Sequence, residues 1–353
     1  MSNVSDELQA LYDAADYLLL IRRAETLLSD THHPLGDHQA TVWRLLGLAY
    51  AHVGNATEAF ESLNQAARLT PEDARVWAAR GASFLLLNQP LAAEPDLSHA
   101  LTLAPDNWQA LVNRGIARTR LMRYDEALAD LHRALELQPG SPYALFHRGY
   151  LYGERNQHEK AIADLTAVLQ EQPENVSAWN NRGLSYYELG RFHEALADFN
   201  RALECDPSCA NAWNNRGLVR QRLGDVDAAL GDFSEAIRLE PESSLAWANR
   251  AELLQRTGQA VAALADYQAA LERDPDQASL REQYVEALLQ LGRATDALVA
   301  LEWFRGIETA RHHWLRARAY QHSGNRLNAR IELRQANRLD AGNDNYRLEP
   351  LPR

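Results

Sequence analysis

The sequence predicts an all-α protein built from repeated helical hairpins, and three observations carry that reading. Prolines stand at positions 71, 105, 139, 173, 207, 241 and 275, each 34 residues after the last. Between them, apolar residues recur with a helical period in two runs per interval. Small residues return at fixed slots in the same register. Self-similarity at such a period marks a repeat architecture, in which one supersecondary unit is stacked many times. The length agrees, because 353 residues exceed the ~100–200 expected of one globular domain.

Nine units begin near residues 40, 74, 108, 142, 176, 210, 244, 278 and 310, the eighth running 32 residues. In the fifth, the first run carries Trp179, Gly183 and Tyr186, and the second carries Ala195, Phe199 and Ala202. Gly190 lies in the turn between them. Pro207 ends the second run, since proline cannot continue a helix and biases its predecessor out of α geometry. Gly47, Gly81, Gly115, Gly149, Gly183 and Gly217 share one slot, held later by Ala251 and Ala317. Alanines from Ala59 to Ala329 fill the facing slot in all nine units. Glycine inside a helix costs ~0.5–1 kcal/mol relative to alanine, a cost that close approach of the two helices offsets. Trp43, Trp77, Trp179, Trp213 and Trp247 then pack beside them as structural filler.

The units divide the chain. Residues 1–39 hold two weaker helical runs, a cap or degenerate repeat. Residues 40–277 form seven regular units, and 278–342 two divergent ones, with Val285 in the glycine slot and Ala341 in place of the last proline. Residues 343–353 form a flexible tail. Pro95 interrupts the second helix of its unit and should kink it.

This pattern of tryptophan, glycine, tyrosine, alanine, phenylalanine and proline at fixed offsets resembles the tetratricopeptide repeat, over roughly residues 40–342. The resemblance implies a right-handed superhelical solenoid of stacked antiparallel helix pairs. It also implies that the first helix of each pair lines a concave wall open to a partner.

An arginine recurs where a leucine is expected. The seventh position of the units reads Leu46, Arg80, Arg114, Arg148, Arg182, Arg216, Arg250, Tyr284 and Arg316. The twenty-third reads Ser62, Asp96, Asp130, Asp164, Asp198, Asp232, Asp266, Ala300 and Glu332. Every unit with the arginine has the acid, and the two without it have neither. A charge in a packing face needs a partner, so the spacing predicts seven ion pairs within units. Pairing between successive units fits worse, because Arg80 would then face Ser62.

On the wall, the sixth position reads Asn113, His147, Asn181, Asn215 and Asn249 through the central units, with Asn180 and Asn214 beside it. An amide donates and accepts together, so such a row can hold a peptide backbone without reading its sequence. It resembles the asparagine ladder of O-GlcNAc transferase, with His147 a departure. Tyr143, Phe146 and Tyr150 fall on one face of the fourth unit, with Tyr187 from the fifth joining them, and exposed aromatics mark interfaces. The lysines that would make a clamp for a C-terminal carboxylate are missing.

Composition bounds the function. A net charge of −12 and a pI near 5.5 argue against a nucleic-acid partner. The apolar patch "YLLLI" is too short to span a bilayer, and the N-terminus lacks the features of a secretory signal. Cys205 and Cys209 read as thiols of a reducing cytoplasm. No glycine-rich phosphate loop or nucleophile–base pair is legible. Neither His32, His33, Asp37 and His38 nor His312 and His313 match a known metal cage. The expectation is a non-catalytic, cytoplasmic scaffold without cofactor or metal, binding a protein or extended peptide. The alternative is a homodimer formed through the divergent end, with its Trp303, Phe304 and Trp314.

Overall fold

The computed structural model describes residues 4–30, 35–340 and 346. Among them are twenty α-helices and two short 3-10 turns, without a strand. The chain forms two compact units, Met1–Ser185 and Tyr186–Arg353, the division falling inside one helix.

The first unit is a run of antiparallel pairs: α1 (Val4–Asp13) with α2 (Tyr17–Ser29), α3 (Gln39–His52) with α4 (Ala56–Leu69), α5 (Ala74–Leu86) with α6 (Pro90–Leu103), α7 (Trp108–Arg120) with α8 (Tyr124–Leu137), and α9 (Pro142–Glu154) with α10 (His158–Glu171). Helix α11 (Val176–Glu188) spans the division. The second unit continues with α12 (Phe192–Cys205), then α13 (Ala210–Leu223) with α14 (Val226–Leu239) and α15 (Ser244–Arg256) with α16 (Ala260–Arg273). Helices α17 (Ala278–Gln290), α18 (Ala294–Leu301), α19 (Ala310–His322) and α20 (Arg326–Leu339) complete it.

Every hairpin turns on one residue with positive φ: Ala15, Gly54, Asn88, Met122, Asn156, Gly190, Gly224, Gly258, Gly292 and Gly324. Ala15 makes residues 4–29 a hairpin on the same plan as the others, although their sequence is weakly periodic. The glycine slot is a close approach of first helix to second. A Cβ at Gly47 would lie 2.5 Å from Leu63 Cγ and 2.9 Å from the carbonyl oxygen of Ala59, and one at Gly217 would lie 2.7 Å from Phe233 Cε1. Leu63, Leu97, Leu131 and Leu165 in the first unit, and Phe233 and Tyr267 in the second, are fully buried in the cores.

Pro95 lies inside α6, which continues past it to Leu103. The carbonyl its missing N–H leaves unpaired belongs to exposed Leu91 in the first turn, where water satisfies it at little cost. In the eighth repeat, the second helix stops at Leu301 and gives way to a 3-10 turn, Glu302–Phe304, and to Gly306 at φ +89°. Phe304 is fully buried there, its ring stacked on His312 with centroids 3.7 Å apart.

Candidate functional site

The recurring arginines build the same arrangement again and again. Arg80 donates from Nε and Nη2 to the two carboxylate oxygens of Asp96 at 2.6 and 2.8 Å. Arg114 grips Asp130 at 2.9 and 2.7 Å, and Arg148 grips Asp164 at 2.7 and 2.8 Å. In the second unit Arg216 does so with Asp232 at 3.0 and 2.8 Å, and Arg250 with Asp266 at 2.7 and 2.9 Å. All five are bidentate forks, the strong geometry for a guanidinium and a carboxylate. The aspartates are buried, and Asp232 is only 2% exposed. Hydrogen bonding to Asp164 raises the pKa of Arg148 above its ordinary value.

The remaining Nη1 reaches back to the preceding pair, which the sequence reading did not foresee. It donates to Asn64 from Arg80, to Ser98 from Arg114, to Thr166 from Arg182, to Asn200 from Arg216 and to Ser234 from Arg250, each acceptor sixteen residues upstream. The signal was a run of small polar residues at one position of the second helices. The tryptophans are more than filler. The guanidinium lies 4.6 Å above Trp77, 4.7 Å above Trp179, 4.5 Å above Trp213 and 5.1 Å above Trp247. Each of these indoles donates to the carbonyl of the proline six residues earlier, at 2.7–2.9 Å. One arginine thus ties together the proline turn, its own pair and the pair before.

The last expected pair does not form. Arg316 donates to the carboxylate of Glu308 at 3.4 Å and to the carbonyl of Leu301, while Glu332 takes His313 Nδ1 at 2.6 Å. The shortened α18 brings Glu308 beneath Arg316, and the longer glutamate at the aspartate position reaches the histidine instead. His312 serves locally, its Nδ1 accepting from the Thr309 N–H in a capping box and its Nε2 meeting Glu282 at 2.8 Å. Of the set aside metal candidates, His32 and His33 lie outside the described residues.

On the first-helix face of the first unit, Tyr143 and Tyr150 are 46% and 40% exposed, with half-buried Phe146 and His147 between them. The Tyr143 ring stands edge-on to His147 at 4.8 Å and Phe146 flanks it at 5.2 Å. Burial, aided by the nearby positive charge of Arg120, lowers the His147 pKa from 6.5 to about 4, so the imidazole is neutral. The Tyr143 hydroxyl donates to the amide oxygen of Asn113 on α7 at 3.2 Å. That leaves the Asn113 nitrogen as a donor. Asn180 and Asn181 sit side by side on α11, half-buried, joined at 3.5 Å.

In the second unit the amide row turns partly inward. Asn214 is 4% exposed, accepts from Asn249 at 2.8 Å and donates to Asn215 at 3.3 Å. It is therefore a buried strut, not the wall residue expected, because its own side chain supplies the link between α13 and α15. Tyr187 accepts from Arg222 Nε at 3.1 Å, with the guanidinium 5.6 Å over its ring, and leans on Phe192.

A chain of paired helices that repeats one arginine fork defines a helical-repeat protein. Profiles of the tetratricopeptide repeat match residues 40–73, 79–142, 146–210, 214–278 and 249–302, and the chain belongs to that family. Among solved structures it is similar to a chain of the APC/C Cut9–Hcn1 hetero-tetramer, at 17% identity over 80% of this chain with a TM-score of 0.64. The match spans 55% of that longer chain. The type IV pilus biogenesis factor PilW is similar at 19% identity and TM-score 0.55, over 59% of this chain and 96% of its own. A thermophilic TPR protein of Thermus thermophilus shares 28% identity over 52% of this chain and 99% of its own, with a TM-score of 0.46. These likenesses concern the fold. No curated protein matches the chain. Among the described residues, no helix is long and apolar enough to cross a membrane.

Proposed function

We propose that this protein is a non-catalytic interaction scaffold that holds an extended peptide segment of a partner protein on the face made by its first helices. The observation that carries the reading is the Tyr143–His147–Tyr150 face of α9, with Asn113 of α7 bonded to it. Two part-exposed tyrosines offer large, rigid contact area at low entropic cost, as at interface hot spots. The free N–H groups of Asn113 face the same aromatic patch and suit a peptide carbonyl. A neutral His147 keeps the centre of the patch apolar while Arg120 supplies the nearby positive charge. Within the second unit Asn215 and Asn249 offer amide chemistry of the same kind, and Asn214 is bonded to both.

The test is selection from a displayed library of unstructured peptides against the full chain, followed by the Tyr143→Ala/Tyr150→Ala variant. Selected peptides should bind the variant about tenfold or more weakly, the size of one strong aromatic anchor. Equal binding by both proteins, with the variant still folded by circular dichroism, removes the site. The self-association reading is less well supported, because Phe304 is buried against His312 of the next repeat and Arg281 covers the Trp303 ring at 4.8 Å. Light scattering separates the two: the scaffold reading expects a monomer.

A further inference from the structure

The first regular pair, α3 with α4, lacks the arginine that every regular pair after it carries. Leu46 stands in its place and Ser62 replaces the aspartate, both buried. Where the guanidinium sits elsewhere, this pair has a cavity of about 420 Å³, lined by Glu25, Trp43, Leu46, Tyr50, Glu58 and Glu61 among others. We propose that this empty slot captures an arginine side chain of a partner protein, which completes the arrangement that the other pairs make internally.

Three features of the slot point to a guanidinium. The first is Trp43, which occupies the position of the tryptophans that carry an arginine over their faces in later pairs. The second is register. Glu25 lies ten residues after the left-handed turn residue Ala15, as Asn64 follows Gly54, Ser98 follows Asn88 and Asn200 follows Gly190. Those three are the acceptors of the arginine Nη1. Glu25 therefore holds the acceptor position, here as a carboxylate, and the Tyr50 hydroxyl donates to it. The third is charge. Glu58 and Glu61 take no hydrogen-bond or ion-pair partner among the described residues, and no cationic residue lines the cavity, so its charge is uncompensated. A planar fork that stacks on indole and meets carboxylates at its edge fits this set better than an ammonium. The slot lies on α2, α3 and α4, apart from the α9 face, so it goes beyond the peptide-binding reading and neither depends on the other.

The experiment titrates the full-length ¹⁵N-labelled protein with acetyl-Gly-Arg-Gly-amide. It follows the indole N–H resonance of Trp43, assigned by its loss in Trp43→Phe. A saturable shift is expected, about tenfold weaker with the citrulline counterpart, which keeps the shape and loses the charge. Leu46→Arg/Ser62→Asp fills the slot with the chain's own guanidinium and should abolish the shift while the protein stays folded. Glu58→Gln/Glu61→Gln, at sites outside the core, should weaken it about threefold or more. Tyr143→Ala/Tyr150→Ala should leave it unchanged. Equal response to arginine and citrulline peptides, or an undiminished shift in the refilled protein, overturns the proposal.

Discussion

Arg80, Arg216 and Arg250 each work as a three-way joint: a fork to their own aspartate, one N–H to the preceding pair and a flat face on tryptophan. Such a joint need not add net stability, since burying both charges costs roughly what their attraction returns. Breaking it is another matter. Arg216→Leu leaves Asp232 at 2% exposure with only Arg220 as a cationic partner, and a loss of about 3–5 kcal/mol is expected in chemical denaturation. Arg216→Leu/Asp232→Leu should recover a substantial part of that loss, because no buried carboxylate then remains and Arg220, whose side chain is 25% exposed, can turn to water. Equal losses in the two variants would show that packing, not charge, holds the site. His147 makes a pH prediction. The fold holds it neutral, its pKa lowered from 6.5 to about 4, so its contribution is present above 6.5 and is lost as pH falls toward 4. His147→Asn, the residue found at the same position in neighbouring repeats, should flatten the decline in stability between about pH 6.5 and 4.5. The fork was legible from the sequence because both partners recur at fixed spacing. The third bond was not, because its acceptor changes among asparagine, serine and threonine, and many acceptors serve one N–H equally well. Glu332 misled for the opposite reason: its type fits the pattern, but His313 and Glu308 compete for the same partners.

Among the helices, geometry is set by where backbones must touch and where they must turn. At Gly217 a methyl group would meet the Phe233 ring at 2.7 Å, and the ring is fully buried. Gly217→Ala should therefore cost about 1–3 kcal/mol despite alanine's better helix propensity. A stabilised variant would mean that the ring gives way freely. The turns run the other way. Met122 holds a left-handed conformation, φ +60°, on the surface, where a side chain is strained and packs on little. Met122→Gly should stabilise the protein by about 0.5–1 kcal/mol, read as a raised melting temperature. Both ends of the chain show where pattern reading fails. The α1–α2 hairpin keeps the turn geometry but not the residue pattern, since Leu20 and Ala24 exchange the sizes that Ala59 and Leu63 have in the next pair. Total volume is kept and the slots are swapped, which periodicity alone does not reveal.

Across the whole chain, stability in a helical repeat is close to a sum of pair terms and neighbour terms. The arginine N–H that crosses to the preceding pair is one such neighbour term; α3–α4 lacks it for want of the arginine, and Arg148 of α9 keeps only its fork, since His132 at the acceptor position pairs with Tyr152 instead. The acidic balance, −12 overall, leaves acids in excess, and five of the arginines are committed to forks. A partner is then best met by aromatic and amide groups at one face and by carboxylates at the unfilled slot. The repeat fold was legible throughout residues 40–300 because a strict period repeats the same local argument many times. The candidate face was legible only as a list of residue types; that Asn214 is buried and Tyr187 is capped by Arg222 depends on inter-helix contacts that spacing cannot supply. The most direct measurement is amide hydrogen exchange on the full chain, with and without a peptide selected from a library. The account predicts slowed exchange concentrated in α7 and α9, around Asn113 and His147. Protection confined to the second helices of the pairs, with α7 and α9 unchanged, would contradict it.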